Sequence, residues 1–327
     1  MLFIAIGSLY FGVYTFSEVS VFKILRRYFL DDVSNTDSYI LLNVRMPRVV
    51  MAILIGSMLA VSGTCLQGIF KNPLATPDLI GVTSGAMLMA AITIVLGAHI
   101  RSFLPEVLHF SLISLGSFLG ALGVIFLVYT ISSSEGKTNV VIMLLSGVAI
   151  SSLCFAMVGF MTYLAKDDEL RDLTFWNLGS LGAATWLKNA ILTVVLIFSY
   201  RFLITKGKEL NAMMLGEKDA EHLGIDVERI KKTIVILSAL MVGCAVAFSG
   251  SIGFVGLIVP YILRLIFKSN YALILPLAAV WGSILLLGAD TLSRTVLAPA
   301  ELPIGLLTAF MGAPVFIAIL IRFKNSM

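Results

Sequence analysis

The sequence predicts an all-α polytopic membrane protein of about ten transmembrane helices, and three observations carry that prediction. Of 327 residues, 59% are hydrophobic and only 13% are Asp, Glu, Lys or Arg, against about a quarter in soluble domains. Apolar runs of about 17 to 25 residues recur along the whole length, each long enough to cross ~30 Å of hydrocarbon as a helix. One densely charged island, KGKELNAMMLGEKDAEHLGIDVERIKK from Lys206 to Lys232, interrupts them and must sit in water. The chain reads as one transmembrane domain over residues 1–327, with a cytoplasmic loop at 205–232.

Taken in order, the first run is MLFIAIGSLYFGVYTF. It lacks the basic leading region and small-residue cleavage site of a signal peptide. It reads as a short first span, and its missing Lys/Arg flank leaves room for a longer natural N-terminus. A polar segment, Ser17 to Asn43, precedes Arg45 and Arg48, which bracket Pro47 at the mouth of a second span, Val49 to about Ile69. QGIFKNPLATPDLIGV leads to a third span, about Leu79 to Leu96, and a fourth runs from about Val107 to Ile131. The turn SSSEGKTN introduces a fifth, about Val140 to Leu164, and the polar stretch AKDDELRDLTFWNLGSLGAATW a sixth, about Leu187 to Leu203.

Beyond the island, about Thr233 to Ser249 makes a seventh span. SGSIGFVGLIVPYILRLI continues as an eighth, broken by Gly253, Gly256 and Pro260. A ninth covers about Leu273 to Ala289, GADTLSRTVLAPAELPIG reads as a re-entrant cap, and the tenth runs from about Leu306 to Ile321. Ten spans put both termini on one side; with the island placed in the cytoplasm, that side carries a slight Lys/Arg excess, a weak signal that does not by itself settle the orientation. AVSGTCLQGIF from Ala60 and AFSGSIGFVGL from Ala247 share Ala, Ser and Gly at one spacing on spans of opposite direction. That echo suggests an inverted repeat; chance similarity in apolar sequence is the alternative.

Inside the island, Glu217 to Leu223 favours helix, with Gly216 before it and Gly224 placed to end it in a left-handed conformation. Asp226 is positioned to cap a helix starting at Val227. Leu215, Ala220 and Leu223 can share one apolar face. A solvated connector is the plain alternative, yet two Leu-Gly pairs around a short amphipathic turn are more structure than a connector needs.

Other signals dissolve. Gly136-Lys137-Thr138 lacks the upstream Gly and the preceding strand of a phosphate loop. Cys65, Cys154 and Cys244 lie singly in apolar runs, no pair has metal-ligand spacing, and His99, His109 and His222 are scattered. Gly81 with Gly85 and Gly116 with Gly120 are small-xxx-small pairs that let helices approach closely. Ser146, Gly147, Ser151 and Ser152 in span five either pack helices or line a wide, weakly polar passage. Span interiors carry almost no ionisable residues, and Asp78 and Asp290 fall at span ends. That argues against a proton- or sodium-coupled carrier, the alternative function class. No catalytic constellation is present, so energy is expected from outside the chain.

Six ordered blocks from Val44 onward then carry a resemblance: RMPR, SGTCLQGIFKNPLATPDLIGVTSGA, FWNLGSL, LGEKDAEHLG, SGSIGFVGLIVPYILRLI and GADTLSRTVLAPAELPIGLLTAFMGAPVF. The sequence resembles the FecCD-type permeases, membrane subunits of binding-protein-dependent ABC importers for iron-siderophores, haem and cobalamin. Tyr261 after Pro260 departs from the His the family often carries there. The resemblance implies a cobalamin-importer-permease-like fold in a bacterial cytoplasmic membrane, paired as a homodimer or with a close relative. It implies two cytoplasmic ATPase subunits, which hold ATP and Mg, docked on Leu215, Gly216, Glu217, Ala220, Leu223 and Gly224. An extracytoplasmic substrate-binding protein would meet Arg45, Arg48 and Arg294. Substrate would pass along Ser146, Gly147, Ser151 and Ser152, with an inner gate at Thr138 and Asn139. This chain would bind lipid but no cofactor, metal or nucleic acid. Iron(III)-siderophore is the expected cargo, with haem or cobalamin as alternatives.

Overall fold

The computed structural model describes residues 1–12, 14–16, 21, 23–24, 36–97 and 111–324. Among them, six helices are long and apolar enough to cross a membrane, and three shorter apolar helices accompany them. They follow the order expected of spans two to ten; where the first span is expected lies α1 (Leu2–Tyr10), nine residues or about 14 Å of helix, shorter than a crossing. Residues exposed on the chain's own surface face water, lipid or a partner.

The molecule is built around α2 (Thr36–Phe70), whose apolar window is 89% buried. Its small residues Gly56, Ala60 and Gly63 recur at i, i+4 and i+7, forming one narrow stripe. That stripe lets two backbones approach. A Cβ on Gly56 would lie 2.3 Å from the carbonyl oxygen of Gly282, on α12 (Tyr271–Thr295). A Cβ on Gly63 would lie 1.9 Å from the carbonyl oxygen of Gly256, on α11 (Val255–Phe267). Ser57 and Ser283 close the first seam with a 2.7 Å hydrogen bond.

The second seam joins α3 (Val82–Val95) to α4 (Leu112–Ser132), where Gly85 and Gly120 face each other within Cβ-excluding distance. The small-residue pairs thus pack as expected. The expected start of span four, near Val107, lies outside the described residues. A two-residue turn at Glu135-Gly136, both at positive φ, joins β1 (Ser133–Ser134) to β2 (Lys137–Thr138) as a hairpin, leading into α5 (Val140–Leu164). This is the geometry two-residue turns favour.

Several boundaries differ from the sequence reading. The polar segment before Arg45 is already helical from Thr36, through a π-helical turn at Ile40–Arg45. The polar stretch after α5 holds an amphipathic helix, α6 (Asp167–Leu178), whose acidic first turn suits the positive helix N-terminus. Two more helices follow, α7 (Trp186–Leu203) and α8 (Gly207–Leu215). Next come α9 (Glu217–His222) and α10 (Val227–Ser249).

The break between α10 and α11 lies at Gly250–Phe254, so Gly253 falls in it, whereas Gly256 and Pro260 are inside α11. Pro260 has no N–H for the carbonyl of Gly256; the side chain of Gln67 donates there instead, at 3.4 Å. The expected re-entrant cap is the end of α12, a turn, and the start of α13 (Ile304–Lys324). The two echoing segments differ locally, one lying inside continuous helix α2 and the other straddling that break.

Candidate functional site

The charged island folds as predicted and docks onto the bundle. Gly224 adopts φ +81°, the left-handed conformation that ends α9. Asp226 Oδ1 accepts from the backbone N–H of Arg229 at 3.0 Å, capping α10. The shared apolar face does not form. Ala220 is fully buried, whereas Leu215 is 73% and Leu223 66% exposed. Two protruding leucines amid charge can enter a partner's groove; Ala220 seats the helix on its own bundle.

The two residues expected at the gate are both engaged within the chain. Thr138 is buried and held by α10: its N–H donates to Glu228 Oε2 at 2.8 Å and its carbonyl accepts from Lys231 Nζ at 3.1 Å. Its hydroxyl lies 3.2 Å from that of Ser133 across the hairpin. Asn139 is exposed, but its Oδ1 caps α5 by accepting from Val141 N at 3.0 Å and Ile142 N at 3.1 Å.

On α5 the four small residues divide. Ser146 is buried and bonded back to Met143. Gly147 meets the 3₁₀ turn Pro77–Ile80, a Cβ there lying 2.2 Å from the Leu79 carbonyl oxygen. Both pack. Ser151 and Ser152, with Ser84, Thr83 and Phe155, line a groove of about 460 Å³ that also exposes Asp78. Thr83 Oγ1 donates to Asp78 Oδ1. Asp78 is thus a groove carboxylate, which its place at a span end did not reveal.

At the other end of α2 the three arginines gather, but inside the chain. Arg48 Nε donates to Asp290 Oδ1 at 2.8 Å, and Arg48 Nη1 to Glu301 Oε1 at 2.8 Å. Arg294 donates to Asp290 Oδ2 at 3.1 Å and to the Phe11 carbonyl at 2.9 Å. Arg45 donates to the Leu9 carbonyl at 2.6 Å and lies over the Phe16 ring at 4.3 Å. All three residues expected to meet a binding protein are buried and already bonded within the chain, where they tie α1, α2 and α12 together. Glu301, with 47% side-chain exposure, is the exposed charge of the group.

The two ends are well separated. Gly68 of α2 lies against Leu210 and Tyr271 at the island end, and Arg48 to Gly68 spans about 30 Å of helix. Among the described residues, no group of three or more His, Cys, Asp or Glu could hold a metal ion.

A profile of the FecCD transport family matches residues 1–322. The chain is 40% identical over 287 residues to the hemin transport system permease protein HmuU of Yersinia pestis, covering 88% of this chain and 84% of that one. It is 38% identical over 301 residues to the vitamin B12 import system permease protein BtuC of Vibrio vulnificus, covering 91% and 88%. Among solved structures it resembles an inward-facing metal-chelate type ABC transporter, with TM-score 0.84, 30% identity, and 98% and 96% of the two chains covered.

Proposed function

The chain belongs to the FecCD transport family, and from that membership we propose that it imports a metal chelate, most specifically an iron(III)-siderophore, using ATP hydrolysed by separate cytoplasmic subunits. Membership makes it a multi-pass permease of an ABC importer. The observation that carries the finer reading is the groove on α5: hydroxyls of Ser151 and Ser152, with one carboxylate, Asp78. Hydroxyls offer a hydroxyl- or amide-rich chelate weak, exchangeable hydrogen bonds, and weak contacts permit release. The carboxylate disfavours a polyanion by a few kcal/mol at close approach. Haem is the second reading, favoured by the relationship to the hemin permease, although its two propionates would meet Asp78.

In this reading two copies, or this chain and a close relative, flank the passage with their α5 helices. The ATPases dock on Leu215 and Leu223, which fixes that end and both termini in the cytoplasm. The binding protein docks at the arginine end, where one of its carboxylates takes Glu301's place on Arg48. This chain supplies the passage and no hydrolytic chemistry.

The test is to titrate the cognate binding protein with ferric siderophores, haemin and cobalamin, then measure which ligand stimulates ATP hydrolysis by the complete complex. A ferric siderophore should bind and stimulate. Stimulation by haemin or cobalamin alone would overturn the cargo assignment and leave the importer standing.

A further inference from the structure

Lys231 lies in the first turns of α10, on the buried stripe it shares with Val227, Ile234 and Ser238. It is 2% exposed. A lysine so deep must have its charge matched and its donors filled. Its ammonium has three N–H bonds, and three acceptors meet it. They are Glu217 Oε2 at 2.8 Å, Glu228 Oε1 at 3.0 Å and the Thr138 carbonyl at 3.1 Å.

These acceptors come from three parts of the chain. Glu217 is the first residue of α9, Glu228 belongs to α10, and Thr138 closes the hairpin before α5. Glu228 turns its second oxygen to the N–H of Thr138, at 2.8 Å. Both backbone groups of Thr138 are thereby clamped to α10. Asn139, the next residue, caps α5, and α5 carries Ser151 and Ser152 into the groove. One unbroken polar path runs from the helix between the two protruding leucines to the helix that lines the groove.

We propose that Lys231 is the positioning residue that couples the ATPase-facing helix α9 to the passage-lining helix α5, by holding Glu217 and Thr138 on one ammonium. The proposal rests on the importer reading above. A displacement of α9 pulls on Glu217, and the short charge-assisted bonds are too stiff to absorb it. With the ammonium buried between its partners, the linkage transmits that movement to the hairpin and hence to α5.

The test uses the complete complex in proteoliposomes, comparing wild type with Lys231→Met, Lys231→Arg and Glu217→Gln. Two quantities are read: substrate imported per ATP hydrolysed, and the nucleotide-dependent change in amide exchange over residues 133–142. Lys231→Met should keep hydrolysis but lower import per ATP about tenfold, within the range of coupling between distant sites. It should also erase the exchange change. Lys231→Arg, which keeps charge and donors, should restore both. Glu217→Gln leaves Lys231 its Glu228 partner, so it carries the test even if Lys231→Met does not assemble; import per ATP should fall about fivefold. Unchanged import per ATP together with an unchanged exchange response in Glu217→Gln would overturn the relay. Import by wild type without ATP would instead overturn the importer reading on which it rests.

Discussion

Arg48 Nε donates to Oδ1 of the fully buried Asp290 at 2.8 Å, joining residues 242 apart in sequence. Arg294 takes the carboxylate's other oxygen at 3.1 Å, so one acid holds two arginines. Removing the acid leaves both cations buried with less compensation, at a cost of about 3–5 kcal/mol. Asp290→Ala should therefore lower unfolding stability in detergent by that amount. Glu301→Gln, acting on a half-exposed partner, should cost less than about 1 kcal/mol. Arg48→Glu with Arg294→Glu should damage folding before it slows any docking. Equal effects of Asp290→Ala and Glu301→Gln would contradict this ordering.

The glycine seams set a second expectation. A methyl on Gly63 would collide with the Gly256 carbonyl, and overpacking of this kind costs about 1–3 kcal/mol or more. Gly123, with nothing within 4 Å of its Cβ position, supplies the control. Gly63→Ala should lower the melting temperature in detergent, while Gly123→Ala stays within about 0.5 kcal/mol of wild type.

At the island, exposure separates docking from folding. Leu215→Ser with Leu223→Ser should leave the permease as stable as wild type, yet weaken ATPase binding by at least about tenfold, or 1.4 kcal/mol. Ala220→Trp should instead dislodge α9 itself, because Ala220 is fully buried. Calorimetric titration with purified ATPase, beside thermal melts of the permease alone, distinguishes the two effects.

In the groove, Asp78→Asn removes the carboxylate that faces Ser151 and Ser152. Import of an anionic chelate should rise relative to a neutral one by about fivefold, a fraction of the Coulomb energy at contact distance. Ser151→Phe should slow both alike by filling the groove. An unchanged ratio in Asp78→Asn would remove Asp78 from the passage.

Much of this was legible locally. Span order, the Gly224 stop, the Asp226 cap and the close-packing Gly85 and Gly120 follow from propensities that act within a few residues. What escaped depends on distant partners. Nothing near Arg48 announces Asp290, and no spacing reveals that Thr138 meets Glu228, 90 positions away. Ala220 faces the bundle, apart from Leu215 and Leu223; a six-residue helix is too short for its periodicity to assign a side. Lys231 left one readable trace: it falls on the apolar stripe of Val227, Ile234 and Met241, where a lysine needs a partner.

The central claim, that ATP drives import through this chain, is tested most directly by uptake into proteoliposomes holding permease, ATPase and binding protein. A radiolabelled ferric siderophore should accumulate only with internal ATP and Mg, and collapsing proton and sodium gradients with ionophores should leave its rate unchanged. Accumulation without ATP, driven by an imposed proton or sodium gradient, would contradict the account.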